Sequence, residues 1–292
     1  MPKFWLICLA IPFAIPGVSC LSQQDERAQH LSAPNPISVK EEAAARHLEG
    51  DWPDIRLSPA ESGSYRPFQG LRFTLTVSAQ GNVVEATPEG VGDEKQPPAG
   101  VDLGEKVVLG LKFIPFARGG QNVPARFSFY IPVYPAEEIP DKHVPFPKLN
   151  DRATLIMTLG RFGCYGTCPV YSVKVYGDGK VEYEGQCFVA VHGKRSSMIP
   201  GDAVESLFEY FKNADYFSLK DDYDSLATDL PTFTTSIAFD GQTKSVTDYF
   251  GVEMGMPDSV KLIERTIDRV TNSLQWVNKN GTWKPSKKES CR

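Results

Sequence analysis

Val170-Tyr-Ser-Val-Lys-Val-Tyr-Gly-Asp-Gly-Lys-Val-Glu-Tyr-Glu184 decides the architecture of this chain. Residues 170–176 and 180–184 read as two strands around Gly177-Asp178-Gly179, a strong turn signal, and so as a hairpin. Working outward, residues 154–159 predict a strand before the hairpin, and residues 188–192 continue the sheet after it. Val204, Leu207, Phe208 and Phe211 fall at i, i+3, i+4 and i+7, which predicts an amphipathic helix over 202–213. Residues 232–239 and 243–249 predict a second hairpin around Asp240-Gly241. Val260, Ile263, Ile267, Val270 and Leu274 lie on one stripe of a second helix over 258–274. Sheet elements with segregated helices define an α+β layer fold.

A smaller unit precedes this one. Leu71, Phe73, Leu75 and Val77 alternate with polar residues, the period of a half-buried strand. Ala79-Gln80-Gly81-Asn82 is a turn, and residues 83–86 return. Val107, Val108 and Leu111 have helical spacing within 103–113, and residues 125–133 alternate as a strand through Phe127, Phe129 and Ile131. The expected organisation is therefore two small modules, each an antiparallel sheet with one or two packed helices. They span 65–135 and 151–277, joined by a proline-rich linker over 136–150. Residues 20–64 read as a flexible tether with one short helix within 38–48, and residues 278–292 as a tail.

The first residues set the expected compartment. Lys3, an apolar run over 4–14 and the small-residue site Gly17-Val18-Ser19 have the three parts of a signal peptide over 1–19. Val18-Ser19-Cys20 resembles the end of a bacterial lipobox, which makes Cys20 a lipidation candidate, although Gly17 also suits ordinary cleavage. A lipid on Cys20 is the one expected membrane attachment. The expected location is extracytoplasmic: periplasmic, or anchored at the outer membrane as a lipoprotein. The formal net charge of −5 and the absence of a basic stripe argue against nucleic acid as a partner.

Beyond Cys8 and Cys20, the cysteines are Cys164, Cys168, Cys187 and Cys291. An even number in an exported chain favours disulfides, with Cys164 and Cys168 the local pair. Four readings of Arg161-Phe-Gly-Cys164-Tyr-Gly166-Thr-Cys168-Pro169-Val-Tyr171 stand open. A structural staple is one: Gly163 and Gly166 permit a tight bend, and the compartment favours it. A thiol-redox pair is another, weakened by C-x3-C spacing without a helix N-terminus. A metal site using Cys164, Cys168, Cys187 and His192 has soft-ligand spacing but an unfavourable compartment. The fourth is a binding surface with Tyr165, Tyr171, Tyr183 and Tyr249 as aromatic contacts and Asp229 and Asp248 as polar ones.

Two resemblances add to this. The segments from Phe73 to Ala86, Leu111 to Ala117 and Gly120 to Phe127 resemble the C-terminal domain of TonB-type energy transducers. That resemblance implies a protein-binding or packing unit; without the family's spacer and uncleaved anchor it does not imply energy transduction. The Cys164 segment, together with Gly177-Asp178-Gly179, Val181-x-Tyr183-x-Gly185, Thr228-Asp229-Leu230-Pro231-Thr232 and Asp248-Tyr249-x-Gly251, resembles a bacterial domain of unknown function. It implies a domain type and no activity. The chain has no Gly-x-Ser-x-Gly elbow, P-loop, Rossmann fingerprint or His-Glu-x-x-His. The expectation is a non-enzymatic envelope protein without cofactor, acting through protein or small-ligand contacts, with envelope proteins as its partners.

Overall fold

Leu71, Phe73, Leu75 and Val77 alternate as expected, and all four are buried in one core. A computed structural model describes residues 35–90 and 100–278. Within it the first module runs β1 (Ile37–Ser38), α1 (Glu41–Ala45), β2 (Ile55–Arg56), β3 (Gly70–Val77), β4 (Val83–Pro88), α2 (Val101–Leu109), β5 (Ala117–Arg118), β6 (Gln121–Asn122) and β7 (Ala125–Tyr134). The sheet order is β1-β7-β3-β4, and β2 also pairs with β7. β3 lies antiparallel to β7, whereas β1 and β2 add in parallel, so the sheet is mixed. Gly104 lets α2 approach closely: a Cβ there would lie 3.0 Å from both Ile55 and the Phe73 ring.

Part of the expected tether belongs to this module. Ala44, Ile55 and Leu57 are buried, and Ile37 and Val39 pack against the same core. The polar average over 20–64 conceals these apolar positions, whose burial against β7 outweighs the local composition. Residues 20–34 lie outside the described residues, as do the leader, Cys20 and Cys291. The first-module helix ends at Leu109 instead of reaching residue 113, because Phe113 donates its N–H to Gly81 O at 2.8 Å and buries its ring.

The second module runs β8 (Ile156–Arg161), β9 (Val170–Tyr176), β10 (Lys180–Cys187), β11 (Gly193–Met198), α3 (Gly201–Asn213), β12 (Asp222–Asp224), β13 (Phe233–Phe239), β14 (Gln242–Tyr249), α4 (Asp258–Thr271) and α5 (Leu274–Val277). Its sheet order is β11-β10-β9-β8-β13-β14-β12. Leu159, Val173, Tyr183, Thr235 and Val246 are in register across five strands and share the face that α3 and α4 cover. The fold class is α+β, dominated by sheet.

Four local expectations change. Residues 188–192 leave the sheet: Phe188 takes a left-handed φ of 53°, and the N–H groups of Ala190 and Val191 donate to Val277 and Trp276. The strand comes later, as β11. Helix α4 stops at Thr271 because Asn272 is left-handed, φ 50°, which leaves Leu274 exposed. The acidic run Asp221-Asp222-Tyr223-Asp224, which its sequence alone makes a solvated loop, holds β12, where Tyr223 is buried and the strand pairs in parallel with β14. The expected linker is also packed: Phe146 stacks on Phe239 with centroids 5.9 Å apart and meets Phe208 and Phe217 edge-on.

The modules touch along residues 250–258. Arg56 donates to Val252 O at 3.3 Å, Met256 O at 3.1 Å and Asp258 Oδ1 at 2.5 Å. Glu253 is buried and accepts from Tyr65 Oη and, at 3.0 Å, from Phe68 N. Asp258 is largely exposed, so its ion pair contributes little, while the charge-assisted bonds to carbonyls act from a guanidinium that is mostly buried. Arg56→Met is accordingly expected to lower the unfolding free energy by about 2 kcal/mol, and Asp258→Ala by no more than about 0.5 kcal/mol, both measured in urea.

Candidate functional site

Arg161 ends β8 opposite Tyr171 of β9 and Phe233 of β13, and Phe233 in turn lies opposite Asp248 of β14. Pairing therefore brings four positions, far apart in sequence, to one end of the sheet. Helix α4 crosses that end. Lys261, Glu264, Arg265 and Asp268 occupy i, i+3, i+4 and i+7 of α4 and so share a stripe.

Asp268 is the most heavily bonded group there. Its Oδ2 accepts from Arg161 Nε at 3.0 Å and Nη2 at 2.6 Å, and its Oδ1 accepts from Tyr171 Oη at 2.9 Å. Ser273 Oγ, turned back by the left-handed Asn272, donates to Oδ1 at 2.5 Å. The Arg161 guanidinium also lies 4.5 Å from the Phe233 ring centroid, a cation–π contact. Burial, and then the Asp268 charge, push the Tyr171 hydroxyl pKa well above the usual phenol range, so Tyr171 stays a donor.

A second acidic group lies beside the first. Asp248 and Glu264 are both buried, and each carboxyl is close enough to influence the other's ionisation. Burial, and then the Asp248 charge, raise Glu264 to about 8, with Arg161 and Lys261 pulling the other way. Burial also raises Asp248, although Gly251 N donates to its Oδ1 at 2.6 Å.

Above these groups is a recess of about 300 Å³. Asp248 and Glu264 line it with Arg161, Lys261 and Arg265, and Leu230, Pro231, Phe233 and Phe250 supply apolar walls. A larger groove of about 570 Å³ lies along β9, β10 and β11. It presents mainly Ser, Lys, Arg and Glu side chains of the open sheet face, without a buried carboxyl pair. The recess is the more specific candidate because it combines apolar walls with a few convergent polar groups.

The sequence motifs converge on this end. Cys164 and Cys168 are joined by a disulfide, Cα atoms 5.6 Å apart. Tyr165 N donates to Asp229 O at 3.3 Å, and Phe162 N to Thr232 O at 2.8 Å, so the cysteine loop lies against the Thr228–Thr232 segment. Tyr165 is 88% exposed, Asp229 is exposed with a left-handed φ of 68°, and Tyr249 is half-buried.

Three expected surface residues are interior instead. Tyr171 is committed to Asp268, and Tyr183 packs on Trp276 with centroids 5.0 Å apart while donating to Val191 O at 3.2 Å. Both face the helices because Tyr171 and Tyr183 fall on the buried register. Asp248 is buried too, and it lines the recess.

The metal arrangement does not assemble. The Cys164–Cys168 bond removes two thiolates, and Cys187 is itself disulfide-bonded, so it is no thiolate either. Among the described residues no group of three or more His, Cys, Asp or Glu side chains is placed to hold a metal ion.

Sequence reasoning missed Lys261, Glu264, Arg265 and Asp268. A signal existed in α4, where Glu264 and Asp268 each directly follow a core position, Ile263 and Ile267. Their cation, Arg161, was in view within the cysteine segment, but only strand pairing reveals the partnership.

A family model described as a domain of unknown function (DUF6438) matches residues 155–271, less than half of the chain. That span holds Arg161, both cysteines of the loop, Asp248, Glu264 and Asp268, so the whole recess falls inside the matched domain. The curated proteins contain no match.

Asp268→Asn is expected to cost about 3 kcal/mol in urea unfolding, because it strands Arg161 away from water. Replacing both ends, Arg161→Met with Asp268→Leu, is expected to cost less than the single change. The double change Cys164→Ser, Cys168→Ser is expected to cost about 2 kcal/mol, in line with the short loop that the bond closes.

Proposed function

We propose that the protein is an exported, non-enzymatic binding protein of the bacterial envelope, and that its ligand site is the recess at the β8–β13–β14 end of the second module. The observation that carries this reading is the combination in one recess of Lys261 and Arg265 with the apolar Leu230, Pro231, Phe233 and Phe250. Such a lining suits a small ligand with an apolar body and a carboxylate group. The body would rest on Phe233 and Phe250, and the carboxylate would meet the two cations. Support for export comes from the leader-like opening, with Cys20 as a lipidation candidate, and from the Cys164–Cys168 bond, which oxidising compartments favour. Residues 65–135, resembling a TonB-type C-terminal domain, would serve as a packing or protein-contact unit for envelope partners.

Benzoate is a suitable probe, since it carries one carboxylate on one ring. Titrating it into the protein is expected to shift the amide resonances of Phe233, Phe250, Lys261 and Arg265, and Lys261→Ala with Arg265→Ala is expected to weaken binding at least about tenfold. Shifts scattered over the surface, or unchanged by the double substitution, count against the recess.

One observation favours a second reading, thiol exchange at Cys164 and Cys168: their loop is exposed, with Tyr165 at 88%. That reading expects the bond in the folded protein to open under mild reductant, as followed by thiol alkylation and mass spectrometry; a bond that stays closed removes it.

A further inference from the structure

Glu264 Oε1 is enclosed and has no hydrogen-bond partner among the described residues. A buried oxygen left in that state is costly, unless a proton lies between it and the neighbouring carboxyl of Asp248. We propose that Asp248 and Glu264 form a one-proton site that locks the two modules together, and that losing this proton loosens the strap over residues 249–258.

The mechanical link is short. Asp248 Oδ1 accepts from Gly251 N at 2.6 Å, which holds Phe250 in a left-handed turn with φ 52°. The Phe250 ring stacks on Phe68 at 6.4 Å between centroids and meets Tyr134 edge-on at 6.1 Å, both from the first module. Three residues further on, Glu253 is held by Tyr65 and Phe68, and Val252 and Met256 accept from Arg56. Gly251 is packed so closely that a Cβ would lie 2.6 Å from Tyr223, so the strap has little room to absorb a shift of Asp248.

The surrounding charges offset a second negative charge only in part, through Arg161 and Lys261. Arg161 of β8 is committed to Asp268 of α4, and Tyr171 of β9 donates to the same carboxylate. Tyr216, which precedes β12, donates to Thr235 O at 2.8 Å. Tyr223 of β12 contributes packing, and Lys261 and Arg265 of α4 stand at the half-buried and exposed rim. With the proton gone, two carboxylates face each other in a water-poor setting, and the nearer route to relief is movement of Asp248 with its turn.

The sign follows from Glu264, whose ionisation is raised from 4.5 to about 8 by burial and by Asp248. A carboxyl raised in the folded state binds more protons there than in the unfolded chain between those values. Its stabilisation is complete below the lower value and is lost as the pH rises through the upper one.

Hydrogen exchange on the full chain tests the proposal, with rates corrected for the intrinsic pH dependence. Between about pH 6 and about pH 9, protection in 249–258 and 65–70 is expected to fall by about tenfold in the native protein. It is expected to stay level in Glu264→Gln, whose amide can donate to Asp248 without ionising, and in Asp248→Asn. Unchanged protection in the native protein, or an equal fall in either folded variant, overturns the proposal. If neither variant folds, a carbon-13 titration of the native glutamate carboxyls decides: one titrating far above the ordinary range supports the proton site, and none doing so overturns it.

Discussion

The carboxylate of Asp268 is the constraint on which the second module depends. It is buried at the end of α4 and accepts from a strand arginine, a strand tyrosine and the serine that follows the helix. A lone buried carboxylate would be intolerable; three donors from different segments make it a fixed point. The position of α4 over β8 and β9 then follows, and with it the placement of Glu264 against Asp248. The recess exists because this one helix is pinned by charge at its C-terminal end and by apolar packing along Val260, Ile263 and Ile267.

The periodic parts of the fold were legible. Val170–Tyr176 and the buried face of α3 agree with the sequence pattern, since burial on one side writes itself into spacing. What stayed hidden was non-local. Residues 36–57 look like spacer in composition, yet join the first sheet by adding in parallel to β7, a partner about 80 residues away. Parallel addition leaves no turn signature. Tyr171 and Tyr183 were legible as sheet residues but not as interior ones, because tyrosine suits either face until the register is known. The site was half visible: the loop motifs pointed to the right end of the sheet, whereas the helix charges that complete it read as ordinary surface.

The two hydrophobic cores are separate, but the polar seam between them is not casual. Glu253 is buried, the Arg56 side chain is mostly buried and Tyr65 is half-buried, and each is bonded across the seam. Apolar seams hold modules together without fixing orientation, whereas directional bonds to carbonyls and carboxylates also fix angle. The described residues from 36 to 278 accordingly form one compact unit.

The ends of the seven-stranded sheet bear on how the chain behaves when crowded. One edge is β11, whose Lys194 and Arg195 neighbour each other on an exposed strand; the other is β12, only three residues long with Asp222 and Asp224 exposed around the buried Tyr223. A sheet that stops on adjacent cations at one side and on a short acidic stub at the other offers no long, neutral template for a further strand. The open face can thus remain broad and uncovered without inviting edge-to-edge growth into fibrils.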